Sequence, residues 1–233
     1  MIFRALKALG DPFVLFPSWL LFSSLLLFAQ ALFPLSSFSA EAFLSGEVNL
    51  GLGSQIALGL ASAWVWGSAF LLAHSRLLSG IAPPASSPIA HAFFRLPSIF
   101  LVTTLQGFLL GLVSSIGASL YFLPTLVLWT LLFFAPALAF LGAPPLSTFH
   151  ASMKRVWPQF FPYLGSLFAL GSFFMAGVFF LSILLSLLFS ASSLEEIPFW
   201  VAPIILGGAF PILSVGWAVM TAGSFPPKER KKD

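Results

Sequence analysis

The stretch FFPYLGSLFALGSFFMAGVFFLSILLSLLFS, residues 160–190, carries no charged side chain, and its reading decides the fold. At 1.5 Å per residue it reaches roughly 45 Å as a helix, more than the roughly 30 Å hydrocarbon core of a bilayer. Tyr163 and scattered serines are all that interrupt its apolar residues. Such a helix has no polar face to offer water, so its solvent is lipid, and it should tilt or begin in the interface.

Runs of the same character lie outward from it at residues 13–35, 51–74, 98–119, 121–142 and 198–223, each bounded by charge, proline or glycine. The chain of 233 residues is 59% hydrophobic and 7% charged, against about 45–50% and 25% in soluble domains. Ten Lys and Arg with seven Asp and Glu are too few to cover a soluble surface. The expected fold is therefore all-α, a polytopic bundle of six transmembrane spans in a single integral membrane domain over residues 1–233. The first run is too long for the core of a signal peptide and reads as a retained helix. A tight turn is expected at Leu120-Tyr121-Phe122-Leu123-Pro124, because proline breaks a helix.

Lys and Arg near span ends are held on the cytoplasmic side. With six spans, Arg4 and Lys7, Arg76 and Arg95, Lys154 and Arg155, and Lys228, Arg230, Lys231 and Lys232 all fall on one side. The opposite loops carry Glu41, Glu47, Glu195 and Glu196 and no basic residue. Both termini are expected to be cytoplasmic. The tail can also touch anionic lipid.

A weak internal repeat accompanies this pattern. Ala82-Pro83-Pro84 leads to Pro97, and Ala143-Pro144-Pro145 leads to Pro158 at the same spacing, with His91 and Arg95 in one copy and His150 and Arg155 in the other. Three helical hairpins follow, each preceded by a short basic segment in the cytoplasmic interface. Ser147 to Trp157 places Phe149, Met153 and Trp157 on one helical face with His150 and Lys154 beside it, as an interfacial amphipathic helix would. Arg95, Lys154 and Arg155 are the basic residues expected at that surface. Trp157 and Trp200 fit an interfacial belt, and Pro136, Pro203 and Pro211 predict kinks.

Within the spans the side chains argue against several chemistries. Residues 13–35, 51–73, 98–119, 121–142, 160–190 and 198–223 include no ionisable group apart from tyrosine, which removes the acidic or histidine relay of proton-coupled transport. Gln30, Gln55 and Gln106 are the strongest polar side chains there, suited to interhelical hydrogen bonds or, in the alternative, to a polar path at Gln55 and Gln106. Gln55, Gly59, Ala63 and Gly67 form one small-residue stripe at four-residue steps, and Thr103, Gly107, Gly111, Ser115 and Ser119 form a second. Gly165, Ala169 and Gly177 repeat the idea loosely. Such stripes let backbones approach, and the expected use is packing between helices of this chain, or contact with another chain.

Catalytic and cofactor patterns are missing from the sequence. His74, His91 and His150 are far apart, no H-E-x-x-H or G-x-S-x-G occurs, and Gly51-Leu52-Gly53 lacks the later glycine and lysine of a phosphate loop. With zero cysteines, thiolate metal sites and disulfides are excluded. The scattered basic residues make no nucleic-acid face. No catalytic residue, cofactor or metal is expected. A lipid-processing enzyme would require His91, Arg95, His150 and Arg155 to converge.

Phe134-Ala135-Pro136-Ala137, Gly142, Ser147-Thr148-Phe149-His150-Ala151-Ser152-Met153-Lys154-Arg155 and Phe160 to Gly165 together resemble the cytoplasmic connector of bacterial six-helix membrane families of unknown function. These include the membrane domain attached to glycerophosphodiester phosphodiesterases. The resemblance implies a six-helix module without catalytic residues in a bacterial cytoplasmic membrane, and the acidic residue usual near that connector is missing. The functional expectation is a non-catalytic accessory or scaffold subunit that binds lipid and another integral membrane protein or itself. A small-solute or ion permease acting as an oligomer is the alternative.

Overall fold

The computed structural model describes residues 10–32, 52–79, 84, 86–117, 123–189 and 201–224. Arg4, Lys7, the four loop glutamates, Trp200, Ser119, Ala82, Pro83 and the basic tail lie outside the described residues. All regular elements among those described are helices: α1 (Pro12–Leu32), α2 (Leu52–Ser79), α3 (Ser86–Gly117), α4 (Leu123–Leu132), α5 (Ala135–Phe140), α6 (Pro145–Val156), α7 (Phe160–Phe189), α8 (Val201–Leu206) and α9 (Phe210–Ser224). Short 3-10 turns, Trp157–Gln159 and Gly207–Ala209, join α6 to α7 and α8 to α9. Six runs are long and apolar enough to cross a membrane: Pro12–Leu32, Gly53–Ser79, Ser86–Ser115, Leu123–Phe140, Pro145–Leu185 and Val201–Ser224.

Two of these begin earlier than composition suggests. The third starts at Ser86 rather than 98, because α3 runs straight through Pro97. One proline removes a single hydrogen bond, and a long apolar helix absorbs the loss without ending. The fifth starts at Pro145 rather than 160, since α6 passes into α7 through the 3-10 turn containing Pro158. Pro144-Pro145 thus leads directly into a helix. Leu120, Tyr121 and Phe122 of the expected turn lie outside the described residues, and Pro124 stands in the first turn of α4, where the absent N–H has no intrahelical carbonyl to lose.

Local chemistry fixes the helix ends. Asp11 caps α1, its Oδ1 accepting from Phe13 N at 3.0 Å, with Pro12 pre-set for the first turn. Its other oxygen pairs with Nε of Arg76 near the end of α2, and the Asp11 side chain is only 7% exposed. The α5 helix closes at Gly142, which has φ +94°, with Gly142 N bonded to Ala139 O and Ala143 N to Leu138 O. That left-handed closure needs glycine, and it lets the chain turn before Pro144. A β-carbon at Gly142 would lie 2.9 Å from Arg95 Nη2, so Arg95 of α3 rests on the carbonyl end of α5.

The α2 helix is central, packing against α1, α3 and α9; α8 and the following 3-10 turn pack on α1, and α4 and α5 pack on α3. Val14, Phe70, Ile99, Phe140 and Val215 belong to the largest buried cluster. The α7 helix lies at the flank: Leu167 and Leu185 are its buried hydrophobic residues, while Phe161, Phe168, Phe179 and Leu187 are well over half exposed. The buried face of α6 is Thr148, Ser152 and Val156. Phe149 is half-buried, while Met153 and Trp157 point outward at 42% and 68% exposure. The inward face is therefore the small hydroxyl-bearing one and not the Phe149–Met153–Trp157 face.

Candidate functional site

Side chains of five spans surround a hollow of about 500 Å³, within the roughly 300–1,000 Å³ of small-molecule sites. Its wall includes Gly59, Ala63 and Trp66 of α2, Thr103 and Gln106 of α3, Trp129 of α4, Phe140 of α5, Leu167 and Gly171 of α7, and Trp217 of α9. Those of α2, α3, α7 and α9 lie within their helices rather than at their ends, whereas Phe140 is the last residue of α5. No charged side chain lines it. A second hollow of about 410 Å³ between α4 and α7 shares Trp129, Leu167 and Gly171 and reaches the exposed Phe168 and Met175. The second hollow thus lies beside the first, on the side of the exposed flank of α7.

The hollow exists because small side chains meet no neighbour there. A β-carbon at Gly59 or Gly171 would have nothing within 4 Å. Thr103 Oγ1 is used within its own helix, donating to Ile99 O at 2.9 Å. No described residue hydrogen-bonds the Gln106 amide. It is an unpaired polar group on a largely apolar wall that also carries Ser62 and Trp217, whose buried Nε1 has no partner among the described residues, a costly arrangement in hydrocarbon unless a guest or water meets it.

The two small-residue stripes have different fates. In α2, Gln55 is exposed, Gly59 and Ala63 line the hollow, and Gly67 is buried beneath the Phe140 ring, which fills the place of a β-carbon. In α3, Gly107 and Gly111 have nothing within 4 Å and Ser115 is exposed, donating only to its own helix at Gly111 O. Among the described residues Gly107 and Gly111 have no packing neighbour at the β-carbon position, while Thr103 of the same stripe lines the hollow. In α7, Gly165 also meets nothing, while Gly177 lies against Ile212 of α9.

His91, His150, Lys154 and Arg155 are exposed. Among the described residues no group of three or more potential metal ligands occurs. His74 is buried and stacks on Phe70 with ring centroids 5.4 Å apart.

Tertiary hydrogen bonds that the sequence does not announce hold the frame of the site. Ser152 Oγ of α6 donates to Leu131 O at 2.6 Å and accepts from Phe134 N at 3.2 Å, closing the break before Pro136. Trp19 Nε1 of α1 donates to Ile204 O of α8 at 2.6 Å, and Trp64 Nε1 of α2 to Ile89 O of α3 at 3.0 Å. Tyr163 and Ser224 hydroxyls meet at 2.7 Å. Gly207 lies against the backbone of Ser23, and Gly216 receives the Leu170 side chain. The adjacent pair Gly207-Gly208 beside Pro211 was the available signal for the first of these close approaches. Compared with protein-family models, curated proteins and solved structures, the chain matches none.

Proposed function

We propose that this chain is a non-catalytic integral membrane module that holds a lipid in the hollow between its helices and acts as an accessory to another membrane protein. The observation that carries the reading is the uncharged hollow itself, with a neighbouring hollow that shares Trp129, Leu167 and Gly171 and reaches the exposed Phe168 and Met175. A site open to the flank of a bundle, at mid-helix depth, meets acyl chains before it meets water. The outward small-residue face of α3, at Gly107, Gly111 and Ser115, is the surface proposed for the protein partner.

The proposed topology is three hairpins with both termini in the cytoplasm of a bacterial cell and α6 in the membrane interface. Three contacts support it, each tying the N-terminal half of one span, or the residue just before it, to the end of the next span: Asp11 with Arg76, Arg95 with the Gly142 turn, and Tyr163 with Ser224. The one-sided distribution of basic residues supports the orientation.

One observation favours the permease reading: the hollow reaches Gln106. Labelling of single cysteines decides between the two, and the cysteine-free chain makes the experiment clean. With Ala63→Cys or Gln106→Cys in membranes, a lipid-soluble thiol reagent should label the site and a charged, impermeant one should fail from both sides. Labelling by the charged reagent would favour the permease. Labelling by neither would mean a filled core and no site.

A further inference from the structure

We propose that the guest of this hollow is an uncharged lipophile bearing a carbonyl or hydroxyl oxygen, which the Gln106 amide recognises near the middle of the bilayer; this rests on the lipid-binding reading above. Gln106 follows Arg95 by eleven positions on the continuous helix α3, about 16 Å along its axis. Arg95 is the last charged residue of α3, and with that charge held at the membrane surface Gln106 falls near the centre of a roughly 30 Å hydrocarbon core. An amide presents two donors and an acceptor, and here none is used within the described chain.

The chemistry of the wall narrows the guest. A phosphate or carboxylate headgroup would enter a hollow with no cation to meet it, since no charged residue lines it, and an uncompensated charge is strongly disfavoured there. An ordinary phospholipid keeps its ester oxygens in the interface and offers only methylenes at this depth, leaving the amide unpaired. A neutral lipophile whose oxygen descends with its body satisfies the amide and fills the apolar wall formed by Trp66, Trp129 and Leu167. Diacylglycerols and prenylated quinones share this chemistry, and the second hollow beside Trp129 and Gly171 marks the side from which either would enter.

The test uses the full chain in phospholipid nanodiscs, with dioleoylglycerol or a prenylated benzoquinone added singly and retention read by native mass spectrometry. Wild type should retain one probe over phospholipid, and which one identifies the source. Gln106→Leu should lose that preference about three- to ten-fold, the worth of one hydrogen bond within a membrane. Gly171→Phe, at a wall position where an added β-carbon meets nothing within 4 Å, should lose all lipid from the hollow, and Gly59→Leu provides a second filling variant should the first not fold. Equal probe retention by wild type and Gln106→Leu overturns recognition by Gln106 while lipid binding stands. Unchanged lipid in both folded filling variants overturns the site itself.

Discussion

Ser152 Oγ donates to the Leu131 carbonyl at 2.6 Å while accepting from the Phe134 amide at 3.2 Å, so one side chain of α6 bridges the break between α4 and α5. Pro136 has no N–H, and the helix before it leaves backbone groups that hydrocarbon cannot satisfy. A serine from the next helix supplies both partners. It also anchors α6, whose inward face is otherwise Thr148 and Val156. The wall of the hollow at Phe133, Pro136 and Phe140 is held in place by this bridge.

Ser152→Ala should therefore lower stability by about 1–3 kcal/mol, the cost of leaving buried backbone groups unpaired. Ser147→Ala is the control, because its hydroxyl donates to Pro144 O at an exposed position. Thermal unfolding in detergent should show a clear fall in Tm for the first and none for the second.

Gly67 and Gly111 should behave oppositely although both belong to four-residue stripes. Gly67→Ala drives a methyl group into the Phe140 ring and should cost about 1–3 kcal/mol as an overpacked core, with partial rescue by Phe140→Leu. Gly111→Leu enters open space and should change monomer stability by no more than about 0.5 kcal/mol. If α3 is the partner face, the leucine should instead abolish co-purification of a membrane partner or a second copy; unchanged assembly would count against that face.

The Asp11–Arg76 pair fastens the start of α1 to the end of α2. Asp11→Asn keeps the cap on Phe13 N but removes the charge facing Arg76. A charge-assisted hydrogen bond contributes roughly 1.5–3 kcal/mol, and the 31% exposure of the Arg76 side chain places the loss towards the lower end. Denaturant titration of the two proteins in the same micelle measures it.

Gly207→Ala tests the closest approach between α1 and the 3-10 turn preceding α9. Its methyl group would meet Ser23, including backbone atoms that cannot rotate away, so the Trp19–Ile204 hydrogen bond should lengthen or break. Loss of a distinctive Trp19 fluorescence environment, read by comparison with Trp19→Phe, is the expected signature. Gly165→Ala, which meets nothing, should leave the spectrum unchanged.

The spans were legible because lipid imposes a local rule: each backbone segment must satisfy itself over about 20 apolar residues. Where they begin was less so. The segments before Pro97 and Pro158 are too polar to read as membrane spans, yet both are helical and continuous with the spans they precede. Gln106 stood out as a polar residue in an apolar run, which is visible in one dimension. The hollow beside it was not, since a stripe of small residues looks the same whether it meets a neighbour, as Gly67 does, or open space, as Gly59 and Gly111 do. Ser152, Asp11 and Gly207 act through residues distant in sequence, and no local pattern marks such partners.

The central claim is that lipid occupies the hollow walled by Gln106, Trp129 and Gly171. Its most direct measurement is native mass spectrometry of the full chain extracted gently from its own membranes, wild type beside Gly171→Phe. The account predicts a lipid that stays on the wild type under conditions that strip the surface, and that is lost from a folded Gly171→Phe. A wild type that flies bare, or a folded variant holding the same lipid equally well, would contradict it.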